Sequence, residues 1–127
     1  MQQVTYTRCL RGHMTVVRPG VLDAELNARG TRVATRLVFS DEATFQESGT
    51  IDFGNGDVVR FQSLENGTVG RNADGRLRHG TSVLGVVGGT GRYAGASGRI
   101  TSNFVLSPDG EVTDEQVVVL FIDREEK

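Results

Sequence analysis

The sequence predicts an all-β fold, most simply an antiparallel barrel closed on itself, with a two-sheet sandwich as the alternative. Dipeptides with hairpin-turn chemistry divide the chain, and the segments between them alternate apolar and polar residues. Because Asn, Asp and Gly tolerate the positive φ of type I′ turns, each dipeptide is expected to join neighbouring antiparallel strands. These dipeptides are Asn55-Gly56, Asn66-Gly67, Asp74-Gly75 and Asp109-Gly110.

The segments themselves are predicted to be strands. The run "TRVATRLVFSDEATFQESGTIDF" favours a strand, a bend and a second strand. Two stretches, "LDAELNARG" and "SDEATFQE", carry weak helical signals, but Thr, Val and Phe flank both. Alternation in "DVVRFQSL" and "GRITSNFVL" indicates strands with two different faces, whereas "QVVVLFI" is apolar on both faces and suits a strand covered on both sides. Together these segments predict seven to nine short antiparallel strands.

Length and charge set limits on the kind of protein. The 127 residues are enough for one domain, spanning residues 1–127, with a core that needs no metal or disulfide. A net charge of −2 with interspersed signs argues against nucleic-acid binding. No apolar run reaches the length of a membrane helix or a signal peptide. With Cys9 as the single cysteine, we expect a cytoplasmic protein that does not bind a membrane.

The stretch "VVGGTGRYAGASGRITSNF" poses the main functional question, because Gly89, Gly91 and Ala94 match a dinucleotide-binding fingerprint. Such a fingerprint binds pyrophosphate through the amides of a following helix. Here another strand pattern follows the glycines instead. The sequence therefore predicts a tight corner between two strands, where the glycines allow close backbone approach or positive φ.

The same stretch carries a family resemblance. "GGTGRYAGASGRI" resembles the glycine-rich corner of the allene oxide cyclases and of the dirigent proteins, which share a barrel. Upstream, "SGTIDFGNGDVVRFQ" resembles the hairpin that precedes this corner in allene oxide cyclases. The resemblance implies a closed antiparallel eight-stranded barrel with a central apolar cavity, and cyclisation of hydrophobic intermediates without a cofactor. The N-terminal "MQQVTYTRCLRGH" lacks the Asn-Glu-Arg stretch of the plant cyclases, and Ala96-Ser97-Gly98 stands where dirigent proteins have Ala-Arg-Gly.

Four polar residues are candidate catalytic groups in such a cavity. His79 shares a strand face with apolar neighbours and suits a hydrogen-bond donor or general acid. Arg60 lines the lumen if Val59 faces outward, and its guanidinium would suit a carboxylate or an enolate. Tyr6 and Asn103 are expected to present a phenol and an amide to the substrate. A structural histidine and a solvated arginine face are the alternative readings of the first two residues.

Apolar side chains of the same strands are predicted to line the pocket. They are Val58 (or its neighbour Val59), Leu77, Val83, Phe104, Val119 and Phe121. We expect no metal site, because His13, His79 and Cys9 form no recognised ligand spacing. Glu25, Asp41 and Glu42 are further candidate carboxylates.

The function predicted from the sequence is that of a cofactor-independent cyclase or isomerase, with cycloaddition as one form of the ring closure. Its partner would be a hydrophobic polyketide-like or lipid-like small molecule. A non-catalytic carrier barrel would use the same cavity without a group positioned at a reacting atom. A scaffold would use its apolar outer faces to assemble, and we expect a homodimer or homotrimer through "QVVVLFI". A one-residue error in strand register would exchange the predicted pocket for the opposite face.

Overall fold

A computed structural model describes residues 2–73 and 75–123 as a closed antiparallel β-barrel. Neither weakly helical stretch forms a helix: "LDAELNARG" lies in a strand and the turn after it, and "SDEATFQE" is a bend followed by the start of a strand. The strands are β1 (Gln2–Arg18), β2 (Val21–Ala28), β3 (Thr31–Phe39), β4 (Thr44–Asp52), β5 (Val58–Ser63), β6 (Gly67–Arg71), β7 (Arg78–Thr90), β8 (Ser97–Leu106) and β9 (Glu111–Ile122). Because β1 pairs with both β2 and β9, and β3 pairs with β4, the sheet has no free edge. The prediction of a barrel is confirmed, and the sandwich alternative is wrong.

The nine strands occupy eight positions around the barrel, as predicted. Both β5 and β6 lie between β4 and β7, with β5 nearer the end where β1 begins. They therefore act as one interrupted strand. Asn66-Gly67 lies at the interruption and does not join two paired strands, so the prediction of a hairpin there is wrong.

The turns predicted at the other dipeptides agree better with the structure. Asn55 and Gly56 both have positive φ, at 57° and 79°, in the connection between the paired strands β4 and β5. Gly110 has a φ of 89° in the β8–β9 hairpin. Of the remaining dipeptide, Asp74 lies outside the described residues, and Gly75 lies between the paired strands β6 and β7 with a φ of 75°. Turn chemistry therefore located three of the connections.

The glycine-rich stretch forms a corner, as predicted. It leaves β7, makes a short 3₁₀ turn at Gly91–Tyr93 and enters β8. Gly91 has a φ of 60°, and a Cβ there would lie 2.2 Å from a carboxylate oxygen of Asp57. The segment that follows the fingerprint is thus a strand, and it offers no helix terminus to a phosphate.

Two aromatic rings rest on inward-facing glycines near the other end of the barrel. The Phe104 ring lies over Gly80, and the Phe45 ring lies over Gly67. A Cβ built on Gly80 would lie 2.1 Å from the Phe104 ring, and one on Gly67 would lie 2.4 Å from the Phe45 ring. Glycine at these positions therefore makes room for the rings inside a narrow barrel.

Gly80→Ala is expected to destabilise the barrel by about 1–3 kcal/mol, because the new methyl group must displace the Phe104 ring from its packed position. Gly70→Ala is the matched control, since Gly70 lies in the same hairpin and a Cβ there meets nothing within 4 Å. Urea unfolding of both variants measures the difference. Equal destabilisation of the two would show that the ring does not depend on the glycine.

Candidate functional site

The two ends of the barrel differ in chemistry. At the end where β1 begins, Phe53 packs between Tyr6 and Tyr93, with ring centroids 5.3 and 4.9 Å apart. The two phenol oxygens form a hydrogen bond of 2.7 Å. Arg8 stacks over the Tyr6 and Phe53 rings and donates a hydrogen bond to Thr31. We call this aromatic end the closed end.

Tyr6, a predicted catalytic residue, is thus part of the closed end. Burial and the hydrogen bond with Tyr6 raise the pKa of Tyr93 to about 12. The Tyr93 phenol therefore stays protonated near neutral pH, and the pair seals the barrel instead of supplying a base.

The opposite end, which we call the open end, holds a depression with two halves. The apolar half, of about 410 Å³, is floored by Leu37, Val69 and Phe104. Asp41 and Glu42, from the β3–β4 connection, stand at its rim. Its volume falls within the range of small-molecule sites.

The second half, of about 420 Å³, adjoins the first and carries cationic groups. Arg71, Arg76 and Arg78 line it. Arg78 lines both halves, as do Met14, Leu22 and Leu106. The two halves therefore form one continuous surface, which we call the basin.

Beneath the basin, polar side chains project into the lumen. We call them the polar belt; they are Thr35, Glu47, Ser82, Ser102, Asp114 and Gln116, and all are buried. Within the belt, Thr35 Oγ1 donates to Glu47 Oε2 at 2.7 Å, and Ser82 Oγ donates to Glu47 Oε1 at 2.9 Å. Burial raises the pKa of Glu47 to about 7, against the lowering effect of these hydrogen bonds, and the charge of Asp114 adds to the rise. Glu47 is therefore an acid whose proton is held near neutral pH.

Asp114 is the second carboxyl of the belt. It accepts hydrogen bonds from Ser102 Oγ at 2.6 Å and from Gln116 Nε2 at 3.0 Å. Burial raises its pKa to about 6. Ser82 and Ser102 are cross-strand partners in β7 and β8, so they bring the Glu47 and Asp114 hydrogen-bond groups side by side. The belt thus crosses the lumen from β3 to β9.

Hydrogen bonding in and beside the polar belt is incomplete within the described residues. Gln116 Oε1 and Arg8 Nε are buried, and neither has a hydrogen-bond partner within the described residues. The two residues are cross-strand partners in β9 and β1. Two buried carboxyls and two unpaired polar atoms cost folding free energy, and such costs are concentrated at functional sites.

An aromatic layer separates the belt from the basin. The Phe45 ring lies 5.2 Å from Phe39 and 6.0 Å from Phe104, measured between centroids. Leu37, which floors the basin, is the cross-strand partner of Glu47. Glu47 and Ser82 retain only 9% and 3% exposure, so this hydrogen-bonded group is buried beneath the aromatic layer.

Most of the predicted site residues do not face the lumen. His79, Arg60 and Asn103 are exposed on the outer face, because Gly80, Phe61 and Phe104 beside them point inward. Their predicted places in the cavity are therefore wrong. Tyr6, at the closed end, and Phe104, in the basin floor, lie where a lumen residue should, as does Val59, the alternative to Val58.

The predicted pocket lining needs a similar correction. Val58 lies outside and its neighbour Val59 is fully buried, while Leu77 lies in the β6–β7 connection. Val83, Val119 and Phe121 are on the outer face, between inward-pointing neighbours. The sequence could not separate the faces because apolar residues occur on both faces of β7 and β9.

The carboxyls of the belt were missed, although the sequence carries a signal for each. Glu47 falls on the same face of β4 as Phe45 and Ile51, and Asp114 falls on the same face of β9 as Val112 and Val118. An acid that shares an apolar strand face is unusual, and that pattern could have identified both residues. The acids that were considered, Glu25, Asp41 and Glu42, are all exposed.

No cluster of three His, Cys, Asp or Glu residues that could hold a metal occurs in residues 2–73 and 75–123. Within the same residues, no helix is long and apolar enough to span a membrane. Comparisons with family models, with curated proteins and with solved structures found no match. The resemblance to allene oxide cyclases and dirigent proteins therefore stays a prediction.

Proposed function

We propose that this barrel binds a hydrophobic small molecule at the open end and acts on it as a cofactor-independent cyclase or isomerase. The proposal depends chiefly on Glu47, a buried acid with a pKa of about 7 beneath an apolar basin. A carboxylic acid that stays protonated in an apolar site is a strong hydrogen-bond donor to a carbonyl or a developing enolate oxygen. The resemblance of the glycine-rich corner to cyclase barrels points to the same chemistry.

The proposed chemistry needs no co-reactant. Glu47 donates its proton, or a strong hydrogen bond, to a carbonyl oxygen of the substrate, so that the conjugated carbon becomes a better electrophile. A carbon–carbon bond then forms within the same molecule, using an alkene electron pair. A substrate proton returns to the carboxylate, so no atom is gained or lost. In a cycloaddition, the hydrogen bond alone would activate the alkene, and the basin would hold the reacting ends together.

The aromatic floor favours a second candidate function, that of a carrier for a hydrophobic ligand. Phe45 and Phe104 are both buried between the basin and the belt. If these rings stay in place when a ligand binds, the substrate cannot reach Glu47. The polar belt would then affect the stability of the barrel but take no part in catalysis.

A ligand panel separates these functions. We expect one linear polyene, or its cyclised product, to raise the Tm of the purified protein by several degrees, since a ligand at a hundredfold its Kd adds about 2.7 kcal/mol. Glu47→Gln should keep this shift but lower kcat by about 100-fold or more. Glu25→Gln, on the exposed face of β2, is the control and should leave kcat unchanged.

Other outcomes of the ligand panel would favour the carrier or the scaffold. Shifts from many unrelated apolar ligands, without turnover, would favour the carrier. No shift from any ligand would favour the scaffold. In that case the exposed Val117 and Phe121 of β9 would mediate self-association, and sedimentation velocity would report the expected dimer or trimer.

A further inference from the structure

Two arginines face each other at the basin. Arg71 of β6 and Arg78 of β7 are direct cross-strand partners. They continue the inward-facing rows that contain Val69 and Gly80, so both extend from the strand faces that line the barrel axis. Like charges directly opposite each other destabilise a sheet, and this pair therefore has a cost in the ligand-free protein.

Among the described residues, no acidic side chain forms an ion pair with either of these two arginines. No Asp or Glu among the described residues lines the arginine half of the basin. Asp41 and Glu42 stand across the apolar half, and no ion pair joins either to Arg71 or Arg78 within the described part of the chain. The Asp41 carboxylate instead accepts a hydrogen bond from the Ala43 amide. The open end is thus cationic on one side and anionic on the other.

Resting on the binding function proposed above, we infer that the ligand is an anionic amphiphile whose carboxylate binds between Arg71 and Arg78. Guanidinium groups bind carboxylates through paired hydrogen bonds, and an anion between these two would relieve their repulsion. The apolar body would extend from the shared residues Met14 and Leu22 toward Phe104. This orientation keeps the head group away from Asp41 and Glu42 and places the apolar chain above the polar belt.

Calorimetric titration with three ten-carbon probes tests this inference. Decanoate, decanol and decylamine share an apolar chain and differ in the charge of the head group. We expect decanoate to bind about tenfold more tightly than decanol, and decylamine to bind most weakly. Raised salt should reduce the preference for decanoate, because exposed charges are screened.

Substitution of the two arginines is expected to remove the preference for decanoate and to raise the stability of the ligand-free protein. Arg71→Gln with Arg78→Gln should abolish the preference for decanoate while leaving decanol affinity unchanged. In the absence of ligand, the same double variant should melt about 2 °C above the wild type, since the repulsion is gone. Arg99→Gln, on the exposed outer face of β8, is the control and should change neither property.

The results that would overturn the inference are distinct from those that would overturn the binding function. Equal binding of decanoate and decanol, unaffected by the double variant, would reject the anion site and retain the apolar basin. Tighter binding of decylamine would also reject it and would indicate recognition by Asp41 and Glu42. Failure of all three probes to bind, with no ligand-induced shift in the panel above, would reject both proposals.

Discussion

Phe104→Ala is expected to lower the free energy of unfolding by about 4 kcal/mol, the largest effect of any substitution proposed for this barrel. The Phe104 side chain is 5% exposed, packs against Phe45, and rests on Gly80, which has no side chain to fill a void. Removing the ring therefore leaves a cavity that the neighbouring strands cannot close. Guanidinium unfolding measures the loss.

Phe121→Ala is the matched control for this prediction. It removes the same side chain from the outer face, where Phe121 is 36% exposed, and should cost less than about 1 kcal/mol. Unfolding at several protein concentrations separates any contribution from self-association, which would make the midpoint depend on concentration. Equal costs for the two variants would contradict the assignment of Phe104 to the basin floor.

Phe104→Ala also tests whether the Phe104 ring separates the basin from the polar belt. The ring lies in the layer between them, so its loss should join the basin to the space around Glu47. Water reaching Glu47 would lower its pKa toward the ordinary value of 4.5, because burial is the main cause of the rise. A carbonyl ¹³C titration of Glu47 in both proteins measures this change.

The second large effect is a gain in stability with Glu47→Gln at alkaline pH. The folded pKa of Glu47 is about 7 and its ordinary value is 4.5, so the unfolded chain releases this proton first. Below about pH 4.5 both states hold the proton and the group costs nothing. As the pH rises from about 4.5 to 7, ionisation of Glu47 in the unfolded chain lowers the free energy of unfolding. The loss reaches about 3 kcal/mol near pH 7. Asp114, raised from 3.8 to about 6, acts in the same direction at slightly lower pH.

Glu47→Gln removes this cost while its amide can still hydrogen-bond Thr35 and Ser82. We expect the variant to exceed the wild type by about 2–3 kcal/mol at about pH 8 and to match it near pH 4.5. Glu25→Gln should show no pH-dependent gain. A loss of stability at both pH values would contradict the prediction and show that the hydroxyls stabilise an ionised carboxylate. A variant that is more stable yet inactive would mark Glu47 as a residue kept for function.

Apolar residues on the outer face explain why the sequence analysis placed so many site residues wrongly. In β7, the inward row includes Gly80 and Ser82, whereas Val83 and Val87 are outward. The inward row begins with these two small residues, where the Phe104 ring and the Glu47 carboxyl occupy the space, and continues with the apolar Leu84 and Val86. Both faces of β7 are therefore apolar over part of their length, and no local pattern in the strand could show which face points inward.

The sequence by itself determined the all-β class, the single closed barrel, most of the turns and the strand after the glycine-rich corner. These features depend on local properties, namely turn residues with positive φ and the alternation of side chains within one strand. Only the tertiary structure decided which faces point inward, that Glu47 and Asp114 are buried together, and that Arg71 lies opposite Arg78. Those relations join residues from different strands, and their energies depend on register and burial, which closure of the barrel alone determines.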